Sequence, residues 1–165
     1  DLKGKVIAFE EPRSTTGYML PAGTLIQRGL GLREVAGPEA AVGLDETGYI
    51  FSRDEENSVE LVLQGRVAAA GMSNQDYEEL PPELRDRMVV LDRTMELPRQ
   101  IVSSRPGLDS ALVSRIRELL ITLGQTEEGR RILKNMKDSQ FDPLPPDFEV
   151  TVGKLRELMG LVAGN

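Results

Sequence analysis

The sequence predicts an α/β fold organised around a parallel-rich sheet with helices on its faces. Two observations point there. Short runs that are apolar at every position, such as Val6-Ile7-Ala8-Phe9 and Met88-Val89-Val90-Leu91, alternate with stretches of helical spacing. Strands buried on both faces read this way, and strand–helix alternation builds βαβ units. After residue 95 the texture changes, and helical periodicity dominates to the end of the 165 residues. At about 150 residues per domain, that length suits one domain or a small two-lobed unit.

Residues 6–9, bounded by Lys5 and Glu10, are the first expected strand. The loop Glu11-Pro12-Arg13-Ser14-Thr15-Thr16-Gly17 follows, rich in turn formers and hydroxyls. A helix comes next, with Met19, Ala22, Leu25 or Ile26 and Leu30 recurring on one side; Pro21 requires a first-turn position or a kink. Tyr49-Ile50-Phe51 is a second strand. Asn57 with Glu60 three residues on matches a capping box, and the helix it opens over 59–63 is stopped by Gly65. Residues 67–72 are a strand of small side chains, 76–80 a helical turn closed by Pro81-Pro82, and 88–91 a further strand. Gln100-Ile101-Val102-Ser103 is the last one. Leu112, Val113, Ile116, Leu119, Leu120 and Leu123 then give a helix over 108–123 with Gly124 as its stop. Thr126-Glu127-Glu128 opens another, carrying Ile132, Leu133 and Met136. The Pro-rich stretch 142–146 interrupts, and Val152, Leu155, Leu158, Met159 and Val162 mark a final amphipathic segment.

Composition removes whole classes of function. There is no Cys, so disulfides, thiolate metal sites and cysteine nucleophiles are excluded; with His 0 the usual general base and commonest metal ligand are gone as well. A net charge of −7 disfavours nucleic acid and anionic lipid, and 4% aromatics leave few stacking platforms for single strands. Of the 20 cationic residues only Lys3, Lys5, Lys134, Lys137 and Lys154 are lysines. No apolar stretch approaches the ~20 residues that span a bilayer, and the first residues read as the approach to a strand rather than as a signal peptide. Binding outranks catalysis.

The most informative segment is Ser14-Thr15-Thr16-Gly17, set between a buried strand and a helix. Free N–H groups at a helix start, together with the positive end of its dipole, attract an anion, and hydroxyls add donors. The plainer reading is that Ser14 or Thr15 caps the helix. One start can do both, capped when empty and binding when filled. No Gly-Lys-Ser/Thr follows, so this is not a P-loop. Arg13 adjoins the loop and can offer an oxyanion two parallel bonds. Glu10 and Glu11 diverge as chain neighbours and have no nucleophile placed with them.

Asp1-Leu2-Lys3-Gly4-Lys5-Val6-Ile7-Ala8-Phe9, then Pro12 and Ser14-Thr15-Thr16-Gly17-Tyr18-Met19-Leu20-Pro21, resembles the phosphate/phosphite/phosphonate-binding proteins of ABC transporters. Their corresponding loop reads Asp-Pro-x-Ser-Thr-Ser-Gly-Tyr-x-x-Pro. The segment 59–67 with Gly65, the turn 73–79 with Tyr77, Leu97-Pro98, Glu127-Glu128-Gly129-Arg130-Arg131-Ile132-Leu133 and Phe141 extend the resemblance over nearly the whole chain.

The resemblance implies a type II periplasmic-binding fold, two α/β lobes on a hinge with ligand in the cleft. Residues 1–95 then correspond to the second, anion-binding lobe. Residues 96–165 correspond to the hinge return and helical tail of an incomplete first lobe. The implied ligand-binding residues are Ser14, Thr15, Thr16, Gly17 and Tyr18, with Arg13 beside them. No catalytic residue, cofactor or metal is expected. The implied protein captures phosphate, phosphite or a phosphonate for an ABC permease, in the periplasm or as a cell-surface lipoprotein. A sensory input domain feeding a kinase and a non-catalytic interaction scaffold are the alternatives, and a homodimer would cover apolar surface left by the incomplete lobe. Two departures bear on the ligand. Ala68 falls where aminoalkyl-phosphonate binders carry an Asp for the ligand's amine, which favours a plain oxyanion. The family's His before the second helix is replaced by Asp54 or Glu55, which the sequence reads as solvated carboxylates.

Overall fold

The computed structural model describes residues 2–98 and 100–164. Four strands, β1 (Val6–Phe9), β2 (Gly31–Glu34), β3 (Glu46–Phe51) and β4 (Ala69–Ala70), form one parallel sheet in the order β2-β3-β1-β4. Val6 pairs with Gly48 and Phe9 with Phe51 on one side of β1, and Ile7 pairs with Ala69 on the other. Central position explains why every residue of β1 is buried. Ile7 and Phe9 point to one face, where Tyr18, Ala22 and Leu32 join them; Val6 and Ala8 point to the other, with Val67. The expected doubly covered parallel sheet is present.

After β1 the backbone makes a π-helical turn, Thr15–Met19, that runs directly into helix α1 (Leu20–Gln27). Pro21 lies in the first turn of α1, where a missing N–H costs nothing. Helix α2 (Glu55–Leu63) follows β3 and ends at Gly65, whose φ of 69° a side-chain-bearing residue would adopt only with strain. Short helices α3 (Asn74–Glu79) and α4 (Pro82–Arg85) come after β4. The chain groups into two units, Asp1–Glu96 with Thr151–Asn165, and Leu97–Val150. The second holds α5 (Ser110–Thr122), a 3-10 turn at Leu123–Gln125 and α6 (Glu127–Asn135), capped by Thr126 and anchored by buried Leu133. In the final helix, α7 (Phe148–Ala163), Leu158 and Val162 belong to the first unit. A Cβ on Gly23 of α1 would stand 2.8 Å from the Leu158 Cβ, so glycine is what lets these helices touch.

Several expectations are corrected. Residues 88–91 and 100–103 form no strand; Val89, Leu91, Ile101 and Val102 are exposed on irregular backbone. Apolar runs become strands only where a neighbouring edge accepts their hydrogen bonds, and no strand of the sheet pairs with either run. Strand β2 escaped detection because only Leu32 of its residues is buried. The strand expected over 67–72 shortens to two residues. Asp54, not Asn57, caps α2: its Oδ1 accepts from the Asn57 amide at 2.7 Å, while the Asn57 side chain donates to the Ser52 carbonyl at 3.0 Å. Glycine 124 sits inside the 3-10 turn rather than ending α5.

Candidate functional site

Parallel sheets place their ligands beyond the carboxyl ends of the strands, where connecting loops open. At that edge the segments after β3, β1 and β4 lie side by side, and each leads into a helical start capped by its own side chain. Ser14 Oγ accepts from the Gly17 amide at 2.9 Å, Asp54 Oδ1 from the Asn57 amide, and Ser73 Oγ from the Asp76 amide at 3.1 Å. The loops are tied to one another through the strand ends. The Ser52 amide donates to the Phe9 carbonyl at 2.8 Å, the Arg53 amide to the Glu10 carbonyl at 2.8 Å, and the Gly71 amide to the Ala8 carbonyl at 3.0 Å. Gly71 has no room for a side chain: a Cβ there would lie 2.9 Å from Pro21 Cγ and 3.0 Å from the Gly17 carbonyl.

Under these loops is a buried hydroxyl network. Ser52 Oγ lies 3.0 Å from both the Phe9 and the Asp54 carbonyls and 2.6 Å from Ser58 Oγ. Where the single Ser52 proton goes to one of the carbonyls, Ser58 is the donor across this 2.6 Å contact.

The structure separates the expected site residues by role. Ser14 is half-buried and serves as the cap, so both cap and anion readings remain available to one residue. Thr15 and Thr16 are exposed, and neither their amides nor their hydroxyls have a hydrogen-bond partner among the described residues. Gly17 is buried; its amide is taken by Ser14, and its carbonyl accepts from the Glu10 amide at 3.2 Å. Arg13 is exposed and makes no ion pair among the described residues. Tyr18 stands apart from the loop surface. Its ring is buried against Phe9 and Phe51, with centroids 5.1 and 4.9 Å away, and its hydroxyl lies 3.4 Å from that of Tyr49. Burial, reinforced by this contact, pushes the Tyr49 hydroxyl well above the ordinary tyrosine value.

Two residues at this edge were not found from sequence. Glu10 turns back over the helix start and accepts from Ser14 Oγ at 2.6 Å. A Cβ on Gly17 would collide with that carboxylate and come within 2.6 Å of Glu10 Cβ. Arg53 adopts φ 85°, a left-handed conformation unusual for a residue with a side chain, as the chain swings from β3 into α2. The available signal was the four-residue spacing of Glu10 and Ser14 ahead of a glycine.

A family model described as ABC transporter, phosphonate, periplasmic substrate-binding protein matches residues 1–147. The chain belongs to this family. The phosphonate-binding family is a substrate-binding component of transport. Among solved structures, XAC2383 from Xanthomonas citri bound to chloride ion superposes with TM-score 0.84 at 24% identity over 99% of this chain and 61% of that one. The same protein bound to ATP gives TM-score 0.80 at 26% identity, over 99% of this chain and 60% of that one. This chain therefore spans about three-fifths of the length of these structural relatives. No curated protein sequence gives a significant match.

Within this chain Ala68 lies away from the hydroxyl loop. Its amide donates at 2.8 Å to the carbonyl of Val6, the first residue of β1, whereas the hydroxyl loop leaves from the other end of that strand. The residues after β4 that reach the loop edge are Gly71 to Ser73. Asp54 is likewise a helix cap, not a stray surface carboxylate.

Proposed function

We propose that this chain is the anion-gripping part of a solute-binding protein that captures phosphate, phosphite or a phosphonate at the helical start 14–17 and delivers it to an ABC permease. The observation that carries the reading is the pair Thr15 and Thr16. They place two amides and two hydroxyls, without partners among the described residues, at the carboxyl edge of the central strand, at the positive end of a helix. A tetrahedral oxyanion offers acceptors that match such donors, and charge-assisted bonds of this kind are the strong ones. Ser14 joins as a hydroxyl donor, Gly17 allows close approach of the backbone, Tyr18 holds the turn on the core, and Arg13 supplies cationic charge from the loop. Support comes from the family match, and from a fold neighbour having been solved with ATP, itself a phosphate-bearing anion.

In this reading residues 1–95 are the ligand-holding lobe, and closure of a second lobe over the anion completes capture. The protein works in the periplasm or at the cell surface, as its family does. A sequence with neither His nor Cys supports capture without a chemical step. Calorimetric titration with inorganic phosphate, phosphite and methylphosphonate tests the proposal: at least one binds, and Thr15→Ala with Thr16→Ala weakens it. Absence of binding by all three overturns it.

A further inference from the structure

We infer that Glu10 is a built-in competitor for the oxyanion, setting the affinity of the site by occupying its donors until ligand displaces it. The inference rests on the reading of 14–17 as the oxyanion site. A bound oxyanion needs the Ser14 hydroxyl as a donor, and in this structure that proton is already given to the Glu10 carboxylate at 2.6 Å. The contact is not a loose surface pairing. Glu10 is half-buried, its own amide donates to the Gly17 carbonyl at 3.2 Å, and its carbonyl accepts from Arg53. Its side chain lies so closely over Gly17 that no Cβ fits there. The carboxylate thus stands in the same favourable field that would hold a ligand, an acid at a helix N-terminus.

Two anions cannot share that place. A carboxylate a few ångströms from a bound oxyanion opposes it strongly in a partly buried site, so binding requires Glu10 to leave Ser14 and turn away. The cost of that release is subtracted from the affinity for every anionic ligand. Glu11, next in sequence but exposed, bears the same charge without the contact.

The test uses the full chain, titrated calorimetrically with inorganic phosphate and with methylphosphonate. Glu10→Gln keeps the size and an oxygen that accepts from Ser14 but removes the charge. It tightens binding at least about tenfold, because a unit charge a few ångströms away is worth more than one factor of ten at the effective dielectric of a protein surface. Glu10→Ala, which vacates the contact, does at least as much, whereas Glu11→Gln stays within about twofold because exposed charges are screened. If wild type binds and Glu10→Gln binds equally or more weakly, or no more tightly than Glu11→Gln, the inference on Glu10 fails while the oxyanion site stands. If neither wild type nor Glu10→Gln binds either ion, both fall.

Discussion

Replacing Ser52 by Ala probes the joint that holds the loop edge together. Phe9 and Asp54 keep partners for their carbonyls, because backbone amides of Ser52 and Ser58 also donate to them, at 2.8 and 3.2 Å. The group left stranded is the Ser58 hydroxyl, which is 0% exposed and whose hydroxyl partner in the structure is Ser52 Oγ. Loss of an ordinary hydrogen bond costs about 1 kcal/mol, and a buried donor without an acceptor adds about 1–3 kcal/mol. Ser52→Ala is therefore expected to destabilise by about 2–4 kcal/mol. Ser58→Ala removes the donor itself and leaves Ser52 bonded to the carbonyls, so it costs about 1 kcal/mol. The double variant should cost less than the sum of the two, by about 1 kcal/mol or more, since residues in one network couple. Urea unfolding followed by circular dichroism gives all three values. Additive effects, or a Ser52→Ala cost no greater than that of Ser58→Ala, would refute the direction of the hydrogen bond and the stranded-donor argument.

Other expectations concern the site and its support. Thr15→Ala with Thr16→Ala removes two hydroxyl donors to a charged ligand and is expected to weaken phosphate or methylphosphonate by about 3 kcal/mol, roughly a hundredfold, in the same titration. Gly23→Ala forces α7 away from α1 and should destabilise by about 1–3 kcal/mol, the usual range for overpacking; an unchanged urea midpoint would show that the helices do not touch as described. The raised Tyr49 value carries a sign. A folded state that resists ionisation keeps its full advantage below the unfolded value near 10 and loses it as pH climbs above that. Stability of wild type should fall steadily as pH rises above about 10, and Tyr49→Phe should flatten the fall; equal slopes for the two proteins would remove Tyr49 as the cause.

Where the sequence was legible, the reason is that local chemistry and tertiary context agreed. Val6 to Phe9 is apolar at every position because the central strand has no wet face, and Thr126 stands at a helix start whose Gly129 amide it accepts. Val89 and Ile101 misled because β-propensity says what a residue tolerates, not whether a strand edge lies beside it. Arg33 and Glu34 hid β2 for the opposite reason: an edge strand exposed on most of its length has no hydrophobic pattern to read. The choice between Asp54 and Asn57 as cap depended on where β3 ended, which is set by pairing of Phe51 with Phe9. At the candidate site the hydroxyl loop was visible as a motif. Glu10 was not, since its meaning comes from a backbone reversal that brings it onto Ser14. Tyr18 belonged to the same motif, yet the ring serves the aromatic packing on the sheet.

In the turn that begins at Thr15 the Ser14 carbonyl accepts from the Met19 amide at 3.0 Å, five residues on, as well as from the Tyr18 amide at 3.2 Å, four residues on. Such a turn holds one residue more than an ordinary helical one. Removing either threonine would let the backbone tighten into a regular spiral and rotate its neighbour by about a hundred degrees, the angular step of an α-helix. The direction in which the two hydroxyls face is thus fixed by the count of peptide units between Ser14 and Pro21, so a one-residue deletion there would re-aim the rim.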